Sequence, residues 1–283
     1  MNIGLLHPGE MGAALGAAMV AHADAIMWIP AGRSQASRER ALRANLTATD
    51  NLKSLCRDCQ IIVSVCPPHA ATHTAEEVIN SGFTGIYVEA NAISPEKTQN
   101  IQKRFQSTHI KMVDGGIIGG PTWPDKDNAK SDPRNLTQLY LSGPEAAEIC
   151  QLFEGSGFNA TWLSKSIGDA SALKMAFAAY TKGSTALLAA ITSVAEYYGV
   201  REALENQWGE TMTKRTHQQL ITNSSKAWRF SGEMLEIANT FKTAGHSEGF
   251  HLAAADTFEK LSHHKDWQQA PSLDDILDSL KKN

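Results

Sequence analysis

The first 163 residues alternate short apolar runs with segments of helical length, and this alternation limits the possible folds. Apolar runs of strand length occupy residues 3–6, 25–29, 61–65, 85–89, 111–115 and 138–142. Helical segments lie between and after them, at residues 12–21, 34–44, 70–80, 95–105 and 144–156. Because parallel neighbours in a sheet require a long crossover, this spacing predicts βαβ units and a mainly parallel sheet. Right-handed crossovers then give a doubly wound α/β fold.

The character of the sequence changes after Gly168. Asp169 begins a run rich in Ala and Leu that ends near Gly199, and a helix of that length spans about 45 Å at 1.5 Å per residue. Asp169 is suited to the N-cap and Gly199 to the position after the helix. No strand pattern follows. The sequence therefore predicts a Rossmann-type domain over residues 1–166 and an all-α domain over 167–283, which begins with the long helix.

Charge and cysteine content narrow the possible partners. Lys and Arg number 26 and Asp and Glu number 30, so the formal net charge is −4 and no basic surface for nucleic acid or an anionic membrane is expected. The apolar stretch at 176–195 is interrupted by polar residues and predicts a buried helix rather than a membrane span. Cys56 and Cys59 lack a second Cys or His pair at ligand spacing, so no metal site is predicted. We expect a cytoplasmic protein that acts on small molecules.

The first strand runs into a glycine-containing turn with the sequence HPGEMG. The dinucleotide pattern Gly-x-Gly-x-x-Gly would place glycine at the position of His7, whereas Gly9 and Gly12 match its second and third glycines. A helix beginning near Gly9 directs its N–H groups and dipole toward a diphosphate. The alternative is an ordinary tight turn between a strand and a helix. The cofactor contacts predicted from this turn are His7, Pro8, Gly9, Glu10 and Met11.

The second strand ends in WIPAGRS, which contains no acidic residue. Sites selective for NAD usually place a carboxylate here to bind the ribose hydroxyls. Arg33 and Ser34 instead offer a cation and a hydroxyl, which suit a 2′-phosphate, and Arg38 adds charge. The alternative is a solvated arginine followed by a helix N-cap serine. The pattern favours NADP, bound in part by Arg33 and Ser34.

Several ordered stretches together resemble the β-hydroxyacid dehydrogenase superfamily, which includes 3-hydroxyisobutyrate and 6-phosphogluconate dehydrogenases. They are HPGEMG, GRS, VSVCPP, VEANAISP, VDGGIIGG and GDASALK. The resemblance covers residues 1 to about 199, and AWRFSGEMLEIA resembles a signature of the branch of phosphogluconate-dehydrogenase-like oxidoreductases. It implies a Rossmann-type domain, a long interdomain helix, a helical C-terminal domain and a homodimer with NADP (NADPH) in the cleft.

The resemblance also implies a catalytic residue, Lys174. The family's catalytic lysine lies early in the long helix, six residues after a glycine, and Gly168 and Lys174 match that spacing. An ammonium can stabilise and protonate the oxygen of a carbonyl under reduction, and a neutral lysine can take the proton back from an alcohol. The alternative is a cation on the surface of an Ala-rich helix.

Further contacts are implied by the same motifs. Cys66, Pro67 and Asn91 follow the third and fourth strands of the motif series, where the family contacts its cofactor, although Asn91 also suits a turn. The family's substrate-binding serine and asparagine are replaced here by Ile118 and Ala178, which favours a less polar substrate. The substrate contacts predicted for this chain are Ile118, Gly119, Gly120, Thr122, Ala178, Thr181 and Arg229.

Three functions remain compatible with these patterns. The first is an NADPH-dependent oxidoreductase that interconverts a carbonyl and an alcohol of hydroxyacid type, with Lys174 as acid and base. The second is an imine or ketone reductase, since related imine reductases carry an HPG-type turn but usually lack this lysine. The third is an NADPH-binding protein without turnover, whose substrate contacts have been lost at Ile118 and Ala178.

Overall fold

The computed structural model describes residues 1–124, 132–267 and 269–281. Packing divides the chain into two compact units, Met1–Lys174 and Met175–Asn283. The first unit holds the sheet, and the second is helical. The domain boundary between residues 166 and 167 stays a prediction.

The sheet of the first unit has eight strands in the described residues. They are β1 Asn2–Leu6, β2 Ala25–Trp28, β3 Thr47–Ala48, β4 Ile61–Ser64, β5 Ile86–Glu89, β6 Lys111–Ile118, β7 Thr137–Ser142 and β8 Phe158–Ser164. Their order is β3-β2-β1-β4-β5-β6-β7-β8. Strands β1 to β6 pair in parallel, β7 is antiparallel to β6, and β8 is parallel to β7. The doubly wound α/β fold is confirmed, and its order reverses between β1 and β4, where such sheets bind ligands.

Helices cover both faces of this sheet. They are α1 Glu10–Met19, α2 Gln35–Arg43, α3 Leu52–Asp58, α4 Ala71–Asn80, α5 Pro95–Phe105 and α6 Ala146–Gln151. Helices α1 and α6 pack on one face with Ile61 and Val63 of β4, whereas α3, α4 and α5 pack on the other with Ile62. Because successive strand residues point to opposite faces, a strand covered on both sides is apolar throughout. This is why the apolar runs predict the central strands well.

Three elements of the first unit were not predicted: β3, β8 and α3. Strand β3 has only two residues, too few to form a pattern. Strand β8 lies at the edge of the sheet and is partly exposed, with Trp162 and Leu163 each more than 40% exposed, so it lacks the apolar run of a central strand. Helix α6 is also shorter than the predicted segment 144–156, because the chain turns after Gln151.

The second unit is helical throughout its described residues. Its elements are the later part of α7 Asp169–Tyr197, followed by α8 Arg201–Ser224, α9 Ala227–Thr243, α10 Gly249–Lys260 and α11 Leu273–Lys281. Gly199 has a φ of 68°, as a residue after a helix end often does, and Gly209 with a φ of 78° interrupts α8. The rings of Phe230 and Phe258 join α9 and α10 at 5.3 Å. None of the described helices has the length and apolarity needed to cross a membrane.

Candidate active site

One row of paired residues marks the carboxyl edge of the parallel strands. Leu6 ends β1 and pairs with Ser64, Ser64 pairs with Glu89, and Glu89 pairs with Asp114. The three polar members of this row are fully buried. The chain therefore leaves β1, β4 and β5 at one edge of the sheet, and the residues that follow these strands face the same region.

The turn after β1 takes its shape from His7. Its φ of 73° lies in the left-handed region, where non-glycine residues are strained. Its carbonyl accepts a hydrogen bond from the Gly9 N–H at 2.7 Å, which closes the turn. A Cβ atom on Gly12 would lie 2.4 Å from the same carbonyl oxygen. His7 thus adopts the conformation for which the dinucleotide pattern uses glycine, and Gly12 allows α1 to pack against the turn.

The amino-terminal end of α1 is open. Gly9 is its N-cap, and among the described residues no side chain accepts a hydrogen bond from the first turn of the helix. Apart from its chain neighbours, no atom of the residues that the structure describes lies within 4 Å of the position that a Cβ on Gly9 would occupy. The Glu10 carboxylate pairs with Arg40 at 3.0 Å, and Met11 packs against the core, so both present backbone rather than side chain here. The uncapped N–H groups and the space at Gly9 fit a diphosphate.

Arg33 and Arg38 lie in the segment that follows β2. Arg33 is exposed, and its side chain makes no hydrogen bond or ion pair within the described part of the chain. The Ser34 hydroxyl caps α2 by accepting from the Ser37 N–H at 3.3 Å, as the alternative interpretation proposed. Arg38 donates to the Pro30 carbonyl at 2.9 Å.

Arg40 was not singled out from the sequence, yet it connects α2 to the first turn. Its Nε donates to the Pro8 carbonyl at 3.3 Å, and its Nη1 lies 3.0 Å from Glu10 Oε1. Pro8 itself is buried. The sequence signal was the recurrence of arginine along α2, but which arginine turns toward β1 depends on how the helix packs.

His7 is uncharged near neutral pH. Burial and, to a smaller extent, the positive charge of Arg33 lower the pKa of His7 to about 4. Its Nδ1 is buried and has no hydrogen-bond partner among the described residues. His7 therefore shapes the turn without adding a positive charge, and the pKa effect shows that Arg33 lies near the turn.

Asn91 links the ends of β4 and β5. Its Oδ1 accepts a short hydrogen bond from the Cys66 N–H, and its Nδ2 donates to Ser64 Oγ at 3.2 Å. Its own N–H donates to Glu89 Oε1 at 3.0 Å. Pro67 follows at the start of a short 3-10 helix. The side chain of Asn91 thus holds the Cys66–Pro67 loop in place, which agrees with its turn interpretation.

Glu89 is a buried carboxyl group with few partners. Its Oε2 and the hydroxyl of Tyr87 have no hydrogen-bond partner among the described residues. Burial, reinforced by the charge of Asp114 and opposed by the Asn91 N–H, raises the pKa of Glu89 to about 8. Glu89 is therefore mostly protonated at neutral pH. The sequence motif VEANAISP contained it, but only the sheet register shows that it lies between Ser64 and Asp114.

Lys174 lies against β6 just beyond this row. A Cβ on Gly116 would lie 3.2 Å from Lys174 Cβ and 2.5 Å from the Ala170 carbonyl oxygen, so the helix packs directly on the strand. Lys174 is partly buried. Because Gly116 follows Asp114 by two residues in β6, the base of the lysine side chain lies at the carboxyl edge of the sheet.

The segment after β6 is held by Thr137 of β7. Its hydroxyl donates to the Gly120 carbonyl and lies 2.7 Å from the Thr122 hydroxyl. Gly119 adopts a φ of 124° and packs against the same threonine, whereas a Cβ on Gly120 would meet no atom within 4 Å in the described part of the chain. Ile118 ends β6 opposite Gln138. The predicted residues 118–122 therefore form one ordered segment, anchored by a threonine that sequence reasoning missed.

The remaining predicted substrate contacts belong to the second unit. Ala178 is fully buried, and the Thr181 hydroxyl donates to the Phe177 carbonyl at 3.2 Å. Arg229 is exposed on α9. Lys182, the residue after Thr181, is more distinctive, because its Nζ pairs with Glu233 Oε1 at 2.7 Å while both side chains are largely buried.

Comparison with known proteins agrees with this arrangement. Residues 2–127 match the NAD binding domain of 6-phosphogluconate dehydrogenase, and residues 195–261 match DUF1932, a domain of unknown function. These matches support a relationship to the β-hydroxyacid dehydrogenase superfamily and an NAD(P)-dependent oxidoreductase. The first unit therefore carries the nicotinamide dinucleotide-binding domain, and the resemblance described from the sequence is confirmed.

Similar proteins show how far the likeness to this superfamily extends. An uncharacterized 28.5 kDa protein of Methanothermus fervidus is 27% identical over 184 residues, which are 65% of this chain and 67% of that protein. The conserved protein MTH1747, reported as structurally similar to 3-hydroxyacid dehydrogenases, is 24% identical with a TM-score of 0.64 over 94% of this chain and 100% of its own. The 3-hydroxyisobutyrate dehydrogenase of Mycobacterium tuberculosis, solved with L-serine, is 14% identical with a TM-score of 0.69 over 99% of each chain. At these identities the two structures support the fold.

Proposed function

We propose that this protein is an NADPH-dependent enzyme that interconverts a carbonyl and an alcohol, with Lys174 as the catalytic acid and base. The observation that carries the proposal is the packing of Lys174 against Gly116 at the carboxyl edge of the sheet. The same edge carries the open helix start at Gly9 and the loop held by Asn91. The carboxyl edge of the sheet thus carries both a helix start that could bind a dinucleotide and the amine of Lys174.

The residues that would hold the cofactor follow from this geometry. The N–H groups at the start of α1 would bind the diphosphate, and Arg33 would pair with a 2′-phosphate because its guanidinium is exposed beside the turn. The Cys66–Pro67 loop and Asn91 would line the middle of the binding site. NADPH in this position would supply the hydride for a carbonyl carbon.

Lys174 would transfer the proton to or from the substrate oxygen. As the carbonyl carbon gains a hydride, its double bond to oxygen becomes a single bond and negative charge develops on the oxygen. The Lys174 ammonium would stabilise that oxygen and donate a proton to it, which leaves a neutral amine. In the oxidation of an alcohol, the neutral amine would accept the proton.

The substrate is expected to be less polar than a small 3-hydroxy acid. Ile118 and Ala178 stand where the family places hydrogen-bonding side chains, and neither offers one. The absence of those groups disfavours substrates whose polar atoms need them. We further propose a cytoplasmic homodimer, supported by exposed apolar side chains along α7, such as Phe177, Leu187 and Val194.

Turnover by a lysine variant tests the proposal. NADPH binding is measured by fluorescence, and turnover is measured on a panel of hydroxyacids, aldehydes and cyclic imines. Lys174→Ala should lower kcat at least about 100-fold, in the range expected for loss of general acid catalysis, with little change in NADPH affinity. Lys165→Ala is the matched control, because Lys165 is exposed and lies shortly before the same helix.

Each contrary result favours another function. Full turnover by Lys174→Ala would remove its assigned role. Turnover on cyclic imines that does not depend on Lys174 would favour an imine reductase. NADPH binding without turnover on any member of the panel would favour a binding protein without catalysis.

A further inference from the structure

Asp114 joins β6 to the first turn of α7. Its Oδ2 accepts hydrogen bonds from the N–H groups of Gly168 and Ser171, each at 3.0 Å. Its Oδ1 accepts from the Ser171 hydroxyl at 2.6 Å, and Ser142 of β7 donates to Oδ2 at 3.0 Å. Asp114 is fully buried, so these bonds are shielded from water. One carboxylate therefore caps the helix from the sheet.

Two neighbouring hydroxyl groups support this cap. Ser142 Oγ accepts from the Ala170 N–H at 3.1 Å while it donates to Asp114. Thr98 of α5 lies 2.9 Å from the Ser171 hydroxyl through its own Oγ1. The first turn of α7 is thus connected to β6, β7 and α5. An ordinary N-cap side chain would satisfy the same N–H groups without tying the helix to the sheet.

Gly116 sets the distance between the two elements. It lies two residues after Asp114, hence on the same face of β6. The Ala170 carbonyl occupies space within 2.5 Å of where a Cβ on Gly116 would be. Asp114 therefore holds the helix, and Gly116 lets it come this close.

Lys174 follows Ser171 by one helical turn, so the two side chains share a face of α7. A shift or rotation of the anchored turn would therefore move the amine. We propose that Asp114 is a positioning residue, which fixes the first turn of α7 and thereby places Lys174 for proton transfer. This inference rests on the proposed function of Lys174.

The test uses two variants and a matched control. Asp114→Asn replaces an acceptor oxygen by an NH₂ group that faces N–H and O–H donors, and Ser171→Ala removes the shortest bond to the carboxylate. Ser156→Ala is the control, because Ser156 is a buried serine whose hydroxyl bonds Phe153 and Phe158 rather than Asp114 or α7. Hydrogen exchange is followed at residues 168–174, together with kcat and the NADPH dissociation constant.

Support requires faster exchange at residues 168–174 in both variants, with kcat lowered about 10- to 100-fold and NADPH affinity within twofold of the parent protein. Ser156→Ala should leave the exchange of this segment and kcat unchanged. Unchanged exchange would overturn the proposal, as would normal kcat in a folded variant or a loss of NADPH affinity in proportion to kcat. If Asp114→Asn does not fold, Ser171→Ala decides by the same criteria.

The two proposals fail differently. If the parent protein turns over no substrate, the proposed function fails, while hydrogen exchange still decides whether Asp114 anchors the helix. If Lys174→Ala is inactive and the anchor variants retain full activity, the proposed function stands and the positioning role is wrong.

Discussion

Helices α1 and α7 both begin near the same edge of the sheet, but only the amino-terminal end of α7 is capped by a side chain. At α7, the Asp114 carboxylate accepts from the N–H groups of Gly168 and Ser171. At α1, no side chain of the described residues caps the helix, and none of them fills the space beside Gly9. Helix starts attract anions in both cases, because unpaired N–H groups and the helix dipole point the same way.

This difference in capping indicates different roles for the two helix starts, a structural role at α7 and a ligand-binding role at α1. A helix start that is already satisfied by the protein's own carboxylate is anchored and has little to offer a ligand. A helix start that the chain leaves uncapped, next to an exposed arginine, fits an external anion such as a diphosphate. The comparison therefore predicts opposite responses when each helix start is altered.

The largest expected effect comes from Gly12→Ala. Its new Cβ would lie 2.4 Å from the His7 carbonyl, so the turn or the helix must move. We expect the free energy of unfolding to fall by about 1–3 kcal/mol or more, measured by urea denaturation. Gly9→Ala is the matched variant: it meets no protein atom, so it should keep the stability and weaken NADPH binding. If both variants bind NADPH as the parent does, the open helix start is not the diphosphate site.

Arg33→Ala tests the charge beside the open helix start. Loss of a charge-assisted bond to the 2′-phosphate should weaken NADPH binding by about 1.5–3 kcal/mol, and NADH binding much less. Arg57→Ala serves as control, because Arg57 is exposed in the same unit and pairs with its neighbour Asp58. Equal weakening of both cofactors would refute the 2′-phosphate assignment and leave only the diphosphate contact.

The central strands could be predicted because a strand that is buried on both faces has apolar residues at nearly every position. Strand β8 could not, since its exposed residues at the sheet edge carry no such run. The two-residue strand β3 depends on its neighbour β2 rather than on any local pattern. Fold class thus follows from local sequence, whereas edge elements follow from tertiary packing.

Only those residues of the candidate site that belong to local sequence motifs could be predicted. His7, Gly9 and Lys174 stand at recognisable positions in motifs. The roles of Asp114 and Glu89 depend on the sheet register, which aligns two acids that are 25 residues apart in the chain, as the pairing of Glu89 with Asp114 shows. An acid inside an apolar run was the available signal, but the sequence could not show which partners it meets.

Glu89 and Asp114 are both buried carboxyl groups, but Glu89 lacks the hydrogen-bond donors that surround Asp114. Its pKa is raised from 4.5 to about 8, so between these values the folded protein keeps a proton that the unfolded chain has lost. Stability should therefore fall as pH rises through this window, by up to about 1.4 kcal/mol per pH unit, and level off above it.

Glu89→Gln mimics the protonated carboxyl, so the pH dependence between 5 and 8 should become flatter by about that slope, measured by urea denaturation across the range. Asp114→Asn is the contrast: it should be destabilising at every pH, because its donors lose an acceptor. An unchanged pH dependence in Glu89→Gln would mean that Glu89 is ionised in the folded protein.

The smallest effect is expected at His7, which holds the open turn in a strained conformation. Its φ of 73° suits glycine, so His7→Gly should leave stability unchanged or raise it by about 1 kcal/mol, whereas His7→Val should lower it. Asn45→Gly is the control, because Asn45 has a φ of 55° and asparagine tolerates this region better.

The same variant tests whether His7 contributes charge. The pKa of His7 is lowered to about 4 from 6.5, so stability should decline as pH falls through this window, and His7→Gly should remove that decline. Since the imidazole is neutral at pH 7, NADPH affinity should change less than about threefold there. A tenfold loss in His7→Gly would instead assign the imidazole a direct contact with the cofactor, and the open helix start would then depend on a side chain as well as on its backbone N–H groups.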